Sequence, residues 1–378
     1  MPKNNLRLTK KKLILALNCF LLVFSIILAT FIIGKPNKEN HDGNNNTNYT
    51  KLFVTKCKNT QTWRTCYGEK LSSFVKTNTI DSTLLLLNDI ENQDPKTRDC
   101  HILAHYISSA VVEKNPKDWR KLLQKVNIAA CNYGFVHGSI EGLSRYDKSF
   151  EINPKNIPGI CEQINNISKA NSDQGCAHIM GHILLSEQCD QSVEEGLKTT
   201  ISECDELPIN LQHECYAGAF MESFTRDNLN SECNTPHIPW GTEAIAMQQE
   251  NTCLQYSGKQ ADSCWQEISH IYNALFPNNP ERVYGECQHA PTKENTIYCY
   301  HHAVFTLVLN ESADKKYFAS LCEPFLNYEP NYTTCYKDIV MSLISASSKF
   351  ETKAKQFCNS LDHRYTNFCL ATLDNTIK

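Results

Sequence analysis

The chain lacks every short motif that would name a familiar chemistry. It has no His-Glu-x-x-His, which disfavours a zincin protease, and no Cys-x-x-Cys-His, which removes covalent c-type haem. Cys-x-x-Cys pairs are absent too, so zinc ribbons and thioredoxin-like redox chemistry are not expected. There is no Gly-x-Ser-x-Gly elbow for a serine hydrolase and no glycine-rich phosphate loop. Excess positive charge is also missing. The net charge is −4, and because the first twelve residues hold Lys3, Arg7, Lys10, Lys11 and Lys12 with no acid, the remainder is more acidic still, at −9. An acidic body argues against nucleic acid as a partner, and against binding of that body to an anionic membrane surface.

What is abundant is cysteine, 19 in 378 residues. That count points to an oxidising compartment: periplasm, cell surface or secretory lumen. Hydrophobic content of 41% and charged content of 21% are globular values. Residues 13–34, LILALNCFLLVFSIILATFIIG, carry no charge and are long enough to cross a bilayer. With basic residues 1–12 ahead of it, this span reads as a transmembrane signal-anchor. The N-terminus is then cytoplasmic and the main domain extracytoplasmic. Residues 35–52 are Asn-rich and nearly devoid of apolar side chains, which predicts a flexible stalk.

From residue 53 to 378 the cysteines mark a repeat. Cys66, Cys100, Cys131, Cys176, Cys215, Cys264, Cys299, Cys335 and Cys369 recur at steps of 31 to 49 residues. Each opens a segment whose apolar residues fall near positions 3, 4, 7 and 8, a helical period. A second series, Cys57, Cys161, Cys204, Cys253, Cys287, Cys322 and Cys358, lies 9 to 15 residues upstream and closes helical stretches. The unit is helix, Cys, polar loop, Cys, helix. Seven local disulfides follow: 57–66, 161–176, 204–215, 253–264, 287–299, 322–335 and 358–369. The remaining ectodomain cysteines suggest 100–131 and 189–233. About nine such hairpins predict an all-α chain, an α-solenoid in which stacking supplies the core that one hairpin cannot. Over roughly residues 53–378 this plan resembles the disulfide-stapled Sel1-like and TPR-like helical repeat proteins. The unit length and the cysteine pair carry the resemblance, while the TPR pattern of Trp, Leu-Gly and Tyr is absent. The resemblance implies α/α architecture and no functional residues.

Five of the thirteen histidines fall in three consecutive second helices. Cys100-His101-Ile-Leu-Ala-His105, then His137-Gly-Ser-Ile-Glu141, then His178-Ile-Met-Gly-His182 each place two metal-competent side chains four residues apart, on one face of a helix. That face lies opposite the apolar set of Cys176, Ile179, Met180, Ile183 and Leu184, so these are not expected to be core histidines. His at i and i+4 with a neighbouring carboxylate suits a divalent transition metal such as Zn, Fe or Cu. Gly134, Gly138, Gly142 and Gly181 interrupt the same helices, which predicts close helix approach or space kept for a ligand. The bland readings of the row are a hydrogen-bonded polar seam or a solvated face. Glu222 could add a carboxylate from the next helix. His270 and His301 occupy equivalent positions but are expected to pack or lie on the surface. His213, His237, His289, His302 and His363 are expected to be structural.

The resulting expectation is a membrane-anchored, extracytoplasmic helical-repeat binding or scaffold protein, with a metal or small-ligand site on residues 100–182. A protein partner or small ligand would sit on the concave face. The alternatives are a metal-dependent envelope enzyme, hydrolase or oxidase, using the same row, and a purely structural interaction solenoid.

Overall fold

The computed structural model describes residues 42–378 apart from 61, 95–96, 98–99, 127–130, 132, 168–172, 189, 226–241, 277–278, 311–319, 328–332, 347–350 and 378. The expected basic tail, the anchor over residues 13–34 and the Cys189–Cys233 pairing lie outside the described residues. Among the described residues no helix is long and apolar enough to cross a membrane. Residues 47–378 form one compact unit. The described residues are all-helical, with no strand.

The helices come in pairs, as the cysteine spacing predicts. α1 (Asp42–Cys57) and α2 (Trp63–Thr77) are joined by Cys57–Cys66. α3 (Ile80–Gln93) precedes α4 (His101–Lys114), and the short α5 (Trp119–Leu123) precedes α6 (Gly134–Tyr146). α7 (Ile157–Ile167) and α8 (Asp173–Ser186) share Cys161–Cys176, and α9 (Val193–Asp205) and α10 (Ile209–Thr225) share Cys204–Cys215. α11 (Glu243–Cys253) is tied by Cys253–Cys264 to α12 (Gly258–Glu267), which breaks at Ile268 and resumes as α13 (Ser269–Leu275). α14 (Pro280–Cys287) and α15 (Lys293–Asn310) share Cys287–Cys299. Cys322–Cys335 precedes most of α16 (Thr333–Ala346), and Cys358–Cys369 joins α17 (Glu351–Cys358) to α18 (His363–Ile377).

These seven bridges all join the residues that local spacing pairs. The eighth, Cys100–Cys131, is different in kind. It links the starts of two second helices, α4 and α6, and so sets their first turns side by side. In the chain-entropy model a loop of about 10–15 residues is worth roughly 3 kcal/mol per bridge. The seven local bridges are almost wholly buried, except that Cys66 is only half-buried. They therefore form part of the core, and small hairpins need that help because each has little apolar surface of its own.

First and second helices occupy different environments. α9 buries five of its 13 residues and α7 four of its 11, one stripe each. α4 buries ten of 14 and α6 nine of 13, so these second helices are enclosed on nearly every side. Local sequence supplies the starts. Thr79 caps α3 through the Ser82 amide, Ser192 and Glu195 form a capping box on α9, and Asn279 caps α14 ahead of Pro280. Consecutive second helices pack in chain order, α2 on α4, α4 on α6, and so on to α18. Contact between α6 and α8 is the lightest in that series.

Two expectations need correction. The histidine face of the second helices is not solvated: His101, His105, His137 and His182 are buried and His178 half-buried. A wheel drawn on one helix sees a polar stripe, but the neighbouring second helices cover that stripe as fully as the apolar one. Residues 35–52 are also not stalk throughout, because α1 begins at Asp42. Tyr49 supplies the reason, packing edge-on against Phe53 and against Phe74 of α2 at 5.0 Å.

The helix glycines mark close approach. A Cβ on Gly138 would stand 2.4 Å from the His105 carbonyl oxygen, and one on Gly218 would stand 1.8 Å from that of His178. Neither backbone can yield cheaply. Gly138→Ala and Gly218→Ala should each cost about 2–3 kcal/mol by forcing the helices apart. Gly285→Ala, with nothing within 4 Å of its added methyl, should be neutral or stabilising by up to about 1 kcal/mol. Denaturant unfolding under non-reducing conditions measures all three, and equal effects would refute the close-approach reading.

A five-histidine cluster between two helix pairs

α4 and α6 are drawn together by the Cys100–Cys131 bridge and by Gly134, Gly138 and Gly142. α8 and α10 are drawn together by Gly181 and Gly218. Each pair carries one His-x-x-x-His helix, and the two meet where α6 faces α8. His137 lies at the centre. Its ring centroid is 4.8 Å from that of His101, 5.0 Å from His105, 4.9 Å from His182 and 5.9 Å from His178. All five histidines expected from the sequence are therefore in one cluster, and nitrogens of His101, His105 and His137 lie within 4.8 Å of one another.

The outer ring nitrogens are held by acceptors. His101 Nδ1–H donates to the Cys131 carbonyl at 3.0 Å. His105 Nδ1 faces Glu141 at 3.1 Å, and His182 Nδ1 faces Glu222 at 3.2 Å. His178 Nδ1 lies 3.7 Å from Glu214. Glu141 thus stands behind His105, and Glu222, flagged from sequence as a carboxylate from the next helix, stands behind His182. Glu214 was not foreseen. Its neighbour His213 is expected only to be structural, and the packing of α10 on α8 is what brings Glu214 to His178. The backbone also contributes. Cys131 and Tyr133 have φ of 54° and 61°, a left-handed conformation costly for such residues. It lies in the turn that offers the Cys131 carbonyl to His101.

A carbonyl or carboxylate can only accept, so Nδ1 carries the hydrogen in His101, His105 and His182. In the neutral rings Nε2 is then a lone pair aimed inward. Yet Nε2 of His101 and Nε2 of His105 are 3.1 Å apart, and those of His178 and His182 are 3.3 Å apart. Facing lone pairs at that distance repel unless a proton or a metal cation lies between them. Tetrahedral ligands about 2.0–2.1 Å from a zinc-sized ion stand about 3.3–3.4 Å from one another. Both pairs fit that spacing.

Electrostatics sharpen the choice. Burial, reinforced by the other four rings, holds His137 well below the usual histidine value. Burial and the neighbouring histidines, His178 first, do the same to His182. Burial also opposes charge on His178, but Glu214 and Glu267 outweigh it and raise its pKa. In the metal-free chain, a proton on the second pair therefore rests on His178. Glu141 and Glu214 ionise more readily than usual despite burial, chiefly because His105 and His178, respectively, stand against them. His137 Nδ1 is buried with no hydrogen-bond partner among the described residues. A cavity of about 180 Å³ adjoins the cluster, lined by His101, His137 and His178 and also by His270 and His302. From sequence, His270 is expected to pack or lie on the surface and His302 to be structural.

No known protein family, curated protein or solved structure matches this chain.

The histidines set the pH response of the metal-free chain. His137, His182 and His270 have folded pKa values below their unfolded values. Their stabilising contribution is present above about pH 6.5 and is lost as pH falls, at up to about 1.4 kcal/mol per unit for each group. His178, raised, contributes in the opposite direction, and the two carboxylates matter only below about pH 4.5. Three groups outweigh one. The unfolding midpoint of the full-length chain in chelator should drop by several degrees between pH 7.5 and 5.5. A flat or rising midpoint would contradict neutral buried imidazoles.

Proposed function

We propose that the protein is a membrane-anchored, extracytoplasmic α-solenoid that binds a divalent transition metal at the cluster of His101, His105, His137, His178 and His182. Its role is binding, sensing or scaffolding at the envelope. The observation that carries the metal reading is the pair of Nε2···Nε2 separations, 3.1 and 3.3 Å, between rings whose outer nitrogens face acceptors. A polar seam would satisfy those inner nitrogens with donors, whereas this arrangement turns acceptors inward. The eight disulfides among the described residues, buried or partly buried, support an oxidising compartment. The serial packing of second helices supports a solenoid. The signal-anchor rests on the uncharged run of residues 13–34.

An all-imidazole inner shell suits Zn, Cu or Fe and is poor for Mg or Ca, which take oxygen. Glu141, Glu222 and the Cys131 carbonyl would act by fixing tautomer and ring orientation, which raises ligand basicity. The adjoining cavity favours a second reading, a metal-dependent hydrolase or oxidase, since it leaves room for a water or small substrate beside the cluster.

Full-length chain purified in detergent should retain stoichiometric Zn, Cu or Fe by elemental analysis, and chelator should lower its unfolding midpoint. His137→Ala combined with His182→Ala should abolish metal at this cluster. Glu141→Gln and Glu222→Gln should weaken it about 10–100-fold while leaving the helical signal intact. Undiminished metal in the double histidine variant would sink the proposal.

A further inference from the structure

Beyond the five-histidine cluster, the cavity is also lined by His270 and His302, and the buried Glu267 stands beside them. Their ligand atoms also lie within 4.8 Å of one another. We propose that these three residues form a second, separate site for a divalent transition metal, a two-histidine, one-carboxylate set opening onto the shared cavity.

Helical spacing creates this group. Glu267 is the last residue of α12 and His270 the second residue of α13, and Ile268 between them keeps helical φ and ψ of −61° and −21°. Three residues apart, the two side chains share a helix face, and α15 supplies His302. His302 Nδ1–H donates to the Gln266 carbonyl at 2.9 Å, with Ser269 Oγ also within 3.0 Å. As with His101, a backbone acceptor fixes the tautomer, and Nε2 becomes an inward lone pair. That Nε2 stands 3.8 Å from Glu267 Oε1, and His270 Nε2 stands 3.5 Å from Glu267 Oε2. The His270 and His302 rings lie nearly perpendicular, 4.5 Å apart.

Glu267 is fully buried. Its Oε1 accepts from the Gln266 side chain at 2.9 Å, but Oε2 has no hydrogen-bond partner among the described residues, and neither has His270 Nε2. A buried carboxylate without a cation is expensive, and its ion-pair neighbours among the described residues are these two histidines. Separations of 3.5 and 3.8 Å exceed a good N–H···O hydrogen bond. They are close to the edge of a tetrahedron built on metal–ligand distances of about 2.0–2.2 Å, which is about 3.3–3.6 Å. Two imidazoles and one carboxylate are a donor set used for zinc hydrolysis and for non-haem iron. Three protein ligands leave at least one coordination position, and His270 and His302 both line the cavity.

This site shares no ligand with the five-histidine cluster, but Glu267 also bears on His178 through charge, so His302 is varied beside it. The test uses full-length chain stripped with chelator and reloaded with zinc, counted by elemental analysis after gel filtration. Glu267→Gln keeps side-chain volume, and His302→Gln is the second variant. Far-UV circular dichroism and intact disulfides confirm the fold of each. Each should lose one equivalent of zinc relative to the wild type while the rest stays bound. In the His137→Ala/His182→Ala background, X-ray absorption on the remaining zinc should show two imidazoles and an oxygen ligand. Unchanged stoichiometry in both variants overturns the second site. So does loss of all zinc in both folded variants, since the group would then only support the five-histidine cluster. If zinc is lost in Glu267→Gln but untouched in the double histidine variant, the second site stands and the five-histidine reading falls.

Discussion

Backbone contact between neighbouring second helices is the constraint on which the rest depends. Gly134, Gly138 and Gly218 face the carbonyl oxygens of His101, His105 and His178, in that order. The residues that bring imidazoles into the cluster are therefore those whose own main chain is held most tightly. A ligand on a helix that cannot slide keeps its geometry without help from a loop. Glycine costs each helix roughly 1 kcal/mol relative to alanine. That cost is offset by what the close approach allows, which is five rings on three helices joined in contact through His137.

Burying so many polar rings is unfavourable unless each nitrogen has a defined role. The chain meets this requirement asymmetrically. Outer nitrogens are satisfied by the Cys131 carbonyl and by Glu141 and Glu222, with Glu214 beside His178, while inner nitrogens point at each other. Glu141 and Glu214 are half-buried and ionise readily because imidazoles, not lysine or arginine, lead the influences favouring their charge. The outer shell is thus negative and the inner shell rich in lone pairs, a field suited to a cation at the centre. His137 and His182, depressed by burial and by their neighbours, resist taking up a proton as that cation.

Much of this was legible in the sequence, and the physical reasons for what was not are specific. The paired cysteines showed the hairpins because a closed loop of 9 to 15 residues has few geometric solutions. The i, i+4 histidines showed one helix face because helical periodicity is local. Their burial was not visible, since which side of a helix faces a neighbour depends on the whole stack. Glu214 and Glu267 were missed for a related reason: each acts on a histidine supplied by another helix, at a sequence separation of 36 and 35 residues.

The placement of the cluster follows from where the stack is weakest. α4 with α6, and α8 with α10, are intimate pairs, and the seam between α6 and α8 is the lightest contact in the series. Here it is closed by imidazoles, with His137 reaching across to both rings of α8. The disulfides already restrict the unfolded chain, so the seam need not be strong for the fold to persist. A cation bound by rings from both sides would add stability only to the state in which the two pairs are docked. Metal occupancy and the docking of the two halves would then be linked in both directions. That coupling suits a binding or sensing protein better than a site whose ligands all come from one rigid hairpin.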